Sequence, residues 1–140
     1  MSAYNIVLKE QAPTVLEFAS IRTSVGWLNP ELPALQASMN ASLYWVSAYL
    51  DGQIVGTGRV IGDGAMYYYV QDVIVHCNHQ KRGLGSQIMQ SINQYLTLNC
   101  QAGSTIGLFA AQGKENFYEN FGFVSRDGQK LGLGMCRFLP

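Results

Sequence analysis

The chain has 140 residues, 48% of them apolar and 13% charged, and its acidic and basic side chains cancel to a formal net charge of zero. That balance fits one packed globular domain spanning residues 1–140 rather than a disordered segment. It excludes a basic stripe for a nucleic acid, and no apolar run is long enough for a bilayer or follows a charged start as in a signal peptide.

The first expected element is an edge strand over Tyr4 to Leu8. Pro13 suits the first turn of a helix, in which Val15, Leu16, Phe18, Ala19 and Ile21 recur at helical spacing. An aromatic connector, Thr23 to Trp27, separates it from a second helix, for which Asn29 reads as the cap and Pro30 as the first position. Leu43 to Leu50 and Gln53 to Ile61 read as a hairpin about Asp51-Gly52, and Gly62-Asp63-Gly64 turns into a third strand, Met66 to His76. The run Tyr67-Tyr68-Tyr69-Val70, followed by Val73-Ile74-Val75, lacks clean alternation, as a central strand covered on both faces would. Leu84, Ile88, Ile92 and Leu96 then step by fours along a helix opening at Gly83 and ending near Asn99. A buried strand over Thr105 to Ala110, a short helix from Lys114 to Asn120 stopped by Gly122, and two strands over Phe123 to Arg126 and Met135 to Leu139 complete the chain. The pattern is α+β, antiparallel in its first half, with one β–α–β crossover.

The richest segment is Gln80-Lys81-Arg82-Gly83-Leu84-Gly85-Ser86, between the third strand and its helix. Small residues let the backbone approach a ligand there, and the helix N-terminus turns N–H groups and partial positive charge toward an anion. A dinucleotide fingerprint would need a third glycine where Ile88 stands, and a nucleoside triphosphate loop would need Gly-Lys-Ser/Thr, which is absent. His76-Cys77-Asn78-His79 falls short of a four-ligand zinc site, so Cys77 reads as a turn residue and no metal is expected. Cys77, Cys100 and Cys136 have no scaffold spacing, in keeping with a reducing, cytoplasmic setting.

Read together, Gln80-Lys81-Arg82-Gly83-Leu84-Gly85 and, some thirty residues on, Asn116-Phe117-Tyr118-Glu119-Asn120-Phe121-Gly122-Phe123 resemble two motifs of the GNAT superfamily of acyl-CoA N-acyltransferases. Gly58 to Gly64 is similar to its small bacterial members. The resemblance implies a mixed, mostly antiparallel twisted sheet of about seven strands splayed in the middle, with about four helices. It implies acetyl-CoA as co-substrate, an amine of a small molecule or peptide as acceptor, direct attack in a ternary complex, and pairing of C-terminal strands in a homodimer.

By the same resemblance, the backbone of Arg82, Gly83, Leu84, Gly85 and Ser86 holds the diphosphate, and Gln80, Lys81 and Arg82 frame the mouth. Val73, Ile74 and Val75 border a bulge where the pantetheine arm pairs like an added strand, an N–H near Val75 serves the oxyanion, and Asn116 touches the arm. Tyr118 matches the acid that meets the leaving thiolate; its alternative is packing against Phe117 and Phe121. Gln71 stands where a glutamate is common, and the carboxylate is next door at Asp72, on the opposite face if the strand is regular. Water leading to Asp72, Asp63 or His76 is one route for the amine's proton; Asp72 satisfied by backbone at the bulge is the alternative. Val25, Trp27, Tyr67 and Tyr69 are candidates to line an acceptor pocket, or to be core. A second reading keeps the fold as a non-catalytic acyl-CoA sensor or partner-binding module.

Overall fold

A computed structural model describes residues 5–140, so Tyr4 lies outside the described residues. The chain divides into two compact units, one ending at Leu108 and the other running from Phe109 to Pro140. The first holds β1 (Ile6–Lys9), α1 (Val15–Ser24), α2 (Leu32–Asn40), β2 (Tyr44–Leu50), β3 (Gln53–Gly62), β4 (Tyr67–Val75), α3 (Leu84–Asn99) and β5 (Thr105–Gly107). The second holds α4 (Glu115–Glu119).

The strands form one five-stranded sheet in chain order, β1-β2-β3-β4-β5. The first three pairings are antiparallel, and α3 provides the crossover to the parallel pairing of β4 with β5. That last pairing covers only Tyr67, Tyr68 and Tyr69 against Thr105, Ile106 and Gly107. Beyond Tyr69, β4 continues to Val75 with no sheet partner on its β5 side among the described residues, which is the expected splay.

α1 and α2 cover one face of the sheet, where Phe18, Ile21, Leu35, Met39, Trp45 and Ile74 form a buried cluster. The Phe18 and Trp45 rings meet edge to face at 5.1 Å, and the Trp45 indole donates to the Met39 carbonyl. α3 covers the other face through Leu84, Ile88, Met89, Ile92 and Leu96. Its close approach requires two of the glycines of β3, Gly56 and Gly58. A Cβ at Gly56 would stand 2.8 Å from Ile88 Cδ1, and one at Gly58 2.9 Å from both Ile88 Cγ2 and Ile92 Cδ1.

Three sequence expectations change. The second helix starts at Leu32 with Pro33 in its first turn and Glu31 at the cap position, because the Asn29 side chain is spent on Arg22, Ala19 and Thr23. α1 is capped by Thr14, which exchanges hydrogen bonds with Glu17 in a capping box; Pro13 precedes the cap, and Leu16 points outward. The sheet has five strands rather than about seven: Phe123 to Arg126 and Met135 to Leu139 form none, and the fifth strand stops at Gly107. In those tail segments the apolar side chains, such as Val124 and Met135, are exposed, so neither face has a core to fix an alternating register.

In the second unit, Phe117 packs edge to face on Tyr118 and Phe121, and Gly122 takes a left-handed φ of +90° just past the helix.

Replacing Gly58 by Val would drive two methyl groups into Ile88 and Ile92. The expected cost is about 1–3 kcal/mol of stability, read as a lower urea midpoint at unchanged slope.

Candidate acyl-carrier site

The site is built around an irregularity in β4. The β3–β4 register advances two residues between Thr57 and Arg59 but three between Ile74 and Gln71, so one extra residue bulges from β4 opposite Gly58. Asp72 occupies the bulge with a left-handed φ of +54°. Its side chain is 1% exposed and closed on by two guanidinium groups. Arg22 of α1 donates from Nη1 to Oδ1 at 2.7 Å, while Arg59 of β3 reaches Oδ2 from Nη2 at 2.9 Å and from Nε at 3.0 Å. Arg59 is further anchored by the Ser38 carbonyl and the Ser38 and Ser42 hydroxyls, and its plane lies over the rings of Phe18 and Trp45.

This geometry changes the face on which Asp72 was expected. The left-handed residue absorbs the usual alternation, so Asp72 and Gln71 both face α1 and α2, and the Gln71 amide lies 3.4 Å from Asp72 Oδ1. Asp72 is satisfied, by arginine rather than by backbone.

Past the bulge, β4 regains its ladder with β3. His76 donates its N–H to the Val55 carbonyl, and Ile74 pairs with Thr57. Antiparallel alternation therefore turns the peptide groups of Val75 away from β3, toward the side where β5 has already ended. There the Val75 carbonyl accepts the Gln80 amide at 3.1 Å. Ile74 is committed inward: its side chain lies in the core cluster and its backbone faces β3. Val73 points its side chain toward α3 beside Gly58.

A 3-10 turn over Cys77–His79 then leads into the glycine segment. Lys81 and Gly83 adopt left-handed φ values of +66° and +79°. Gly83 caps α3 with no side chain, and a Cβ there would meet no heavy atom within 4 Å. The opening N–H groups of Leu84, Gly85 and Ser86 precede the first intrahelical bond, that of Gln87 to the Gly83 carbonyl. Such a terminus, with Lys81 and Arg82 beside it, fits an anionic diphosphate: it offers amide donors, the positive end of a helix of sixteen residues, and no side chain in the way.

The other candidate bases near this site, Asp63 and the two histidines, are engaged or weakened. Asp63 Oδ1 accepts the N–H groups of Tyr67, Ala65 and Met66, which hold its carboxyl below the usual range. His76 Nδ1 accepts the Asn78 N–H. Burial, then the charges of His76 and Arg82, keeps the His79 imidazole below its ordinary value, and its buried Nδ1 has no hydrogen-bond partner. No cluster of three potential metal ligands occurs among the described residues.

Of the aromatic candidates, Trp27 is at the exposed border with its ring under Arg22, Tyr67 is exposed at the start of β4, and Tyr69 is half-buried opposite Gly107. Val25 packs against the core cluster. Within the second unit, Asn116 is exposed on α4, and Tyr118 is half-buried with its ring against Phe117 and Phe123. Burial raises the Tyr118 hydroxyl above its ordinary value. Sequence reasoning missed Arg22 and Arg59. The available signal was Arg59 itself, a lone cation within the apolar run Val55 to Ile61, which must meet a carboxylate if that strand is buried.

In this mixed sheet β4 runs on past the end of β5 and leads, through a short turn, to the N-terminus of α3, which no side chain caps. The sequence profile of the acetyltransferase (GNAT) domain matches residues 40–125, and the chain belongs to that family. It is 30% identical over 120 residues to the uncharacterized N-acetyltransferase ycf52 of Pyropia yezoensis, an alignment covering 81% of this chain and 67% of that one. The corresponding protein of Gracilaria tenuistipitata var. liui is also 30% identical, over 76% of this chain, which spans only 60% of that relative's length. Among solved structures, a GNAT-family acetyltransferase of Streptococcus pneumoniae superposes with a TM-score of 0.77 at 26% identity, covering 96% of this chain and 98% of that one. A Staphylococcus aureus protein of unknown function shares the fold at a TM-score of 0.85 and 24% identity, covering 94% and 99%.

Asp72→Asn would leave two buried guanidinium groups without a counter-charge. A loss of about 3–5 kcal/mol in unfolding free energy is expected, measured by urea denaturation at neutral pH.

Proposed function

We propose that the chain is an N-acetyltransferase that moves an acetyl group from acetyl-CoA to an amine of a small molecule or peptide, with both substrates bound together. The observation that carries this reading is the edge of β4 at Val75, which pairs with no strand on its β5 side among the described residues and is joined through Gln80 to the N-terminus of α3, which no side chain caps. The family match, which runs through residues 40–125, supports the acyl-transfer chemistry.

When bound, acetyl-CoA supplies an acyl carbon activated as a thioester. The amides of Gly83 to Ser86 receive its diphosphate, with Lys81 and Arg82 adding cations at the mouth. The edge of β4 at Val73 and Val75 receives the pantetheine arm; Asn116 is assigned to that arm by the family resemblance alone. The Val75 N–H donates toward the acyl oxygen, where negative charge grows during attack. Tyr118 keeps its proton through the neutral range, so it donates a hydrogen bond to the leaving sulfur rather than completing a proton transfer. Trp27, Tyr67 and Tyr69 border the acceptor. Asp72, with both oxygens on arginines, holds the bulge instead of taking the amine's proton; the amine enters as its free base, and the proton that nitrogen gives up as the amide forms passes through solvent to the departing thiolate.

The sensor reading has one observation in its favour: Gln71 cannot take a proton, and its neighbouring carboxylate is fully engaged. Release of thiol from acetyl-CoA across a panel of amines and amino-terminal peptides separates the two readings. Turnover supports the enzyme, whereas saturable acetyl-CoA binding with no turnover on any acceptor supports the sensor.

For the enzyme, kcat/KM is expected to rise with pH as the acceptor loses its proton. It should show no descending limb from Tyr118 below about pH 10, because burial moves that hydroxyl upward. Tyr118→Phe should lower kcat about tenfold to a hundredfold while sparing acetyl-CoA affinity; unchanged kcat would remove Tyr118 from the mechanism.

A further inference from the structure

Arg22 belongs to two parts of the first unit at once. Its Nη1 closes on the bulge carboxylate of Asp72, its Nε donates to Asn29 Oδ1 at 2.8 Å, and its Nη2 donates to the Leu28 carbonyl at 2.8 Å. The guanidinium also lies 5.4 Å from the centre of the Trp27 ring. The connector between α1 and α2 folds back onto the same residue, because Val25 and Trp27 both donate their N–H groups to the Arg22 carbonyl. Asn29 is held in turn by the Ala19 carbonyl and the Thr23 hydroxyl. The connector is thus anchored partly to α1 itself and partly to one side chain, Arg22, that also pairs with the bulge carboxylate.

The two arginines differ in what they can transmit. Arg59 is 8% exposed and fixed by α2 through Ser38 and the adjoining Ser42, so it forms the stationary side of the clamp. Arg22 is 17% exposed and bonded to the connector, so it is the side that a ligand pressed against Trp27 and Leu28 would move. A rigid planar fork converts displacement of Leu28 and Asn29 into displacement of Asp72, whose left-handed backbone sets the course of β4.

We propose that Arg22 is a positioning residue that couples the α1–α2 connector to the β4 bulge, keeping an amine seated against the connector in register with the acyl group carried on β4. The coupling rests on the acyl-transfer reading above.

Arg22→Lys tests it. Lysine keeps a cation for Asp72, but one ammonium lacks the fork needed to hold Leu28 and Asn29 at the same time. With the best amine from the thiol-release panel, acceptor kcat/KM is expected to fall about tenfold or more, while the acetyl-CoA KM stays within about twofold and the melting midpoint stays near wild type. Asn29→Ala, which removes the Nε arm of the tether and leaves Nη2 on the Leu28 carbonyl and Nη1 on Asp72, is expected to give a smaller loss of the same acceptor-selective kind. Unchanged kinetics in both variants, or a loss that falls equally on both substrates and follows the melting midpoint, would overturn the coupling. Absence of turnover in the wild type would instead remove the acyl-transfer reading. The coupling is then read from Trp27 fluorescence, taken as the signal lost in Trp27→Phe. It predicts an acetyl-CoA-induced change in wild type that is lost in Arg22→Lys, and equal changes in both would refute it.

Discussion

One buried carboxylate held by two arginines sets the course of the strand around which this molecule is organised. A left-handed conformation at a residue other than glycine costs about 1–3 kcal/mol and persists only where its surroundings enforce it. At Asp72 the enforcement comes from both sides, from α1 through Arg22 and from β3 and α2 through Arg59. Removing the carboxylate would strand its guanidinium partners at a cost of about 3–5 kcal/mol, so the clamp ties the two arginines to the bulged course of β4. The consequences then run along β4: Gln71 and Asp72 share a face, and the Val75 peptide groups turn from the ladder toward the gap left by β5.

A second constraint places the anion-binding end. Gly56 and Gly58 let Ile88 and Ile92 press onto β3, so α3 lies close against the sheet it crosses. The short turn after β4 then brings the start of that helix to the end of the open edge, and Gln80 joins the two by bonding the Val75 carbonyl. Backbone groups from a strand and a helix thus serve one extended ligand, and the side chains that matter most are those that hold the backbone in place.

What the sequence made legible was local. Glycine positions, a strand-to-helix turn and the period of Leu84, Ile88, Ile92 and Leu96 are decided by near neighbours, so the crossover and its cradle could be read directly. Partners far apart in the chain were not legible. Arg22 and Asp72 are fifty positions apart, and nothing near either residue announces the other. The same tertiary contact explains the misplaced start of α2, since Asn29 has a cap's chemistry but bonds Arg22 instead. The tail misled for the opposite reason: alternating apolar residues resemble strands, yet those side chains are exposed and no core fixes a register.

The central claim is that the bulge presents the backbone of β4 to an acyl carrier, and amide hydrogen exchange at Val75 tests it most directly. The account predicts that the Val75 N–H exchanges readily in the free protein and is markedly protected when acetyl-CoA is bound, while the Ile74 N–H, already facing β3, changes little. Equal exchange at Val75 with and without acetyl-CoA, under saturating binding, would contradict it.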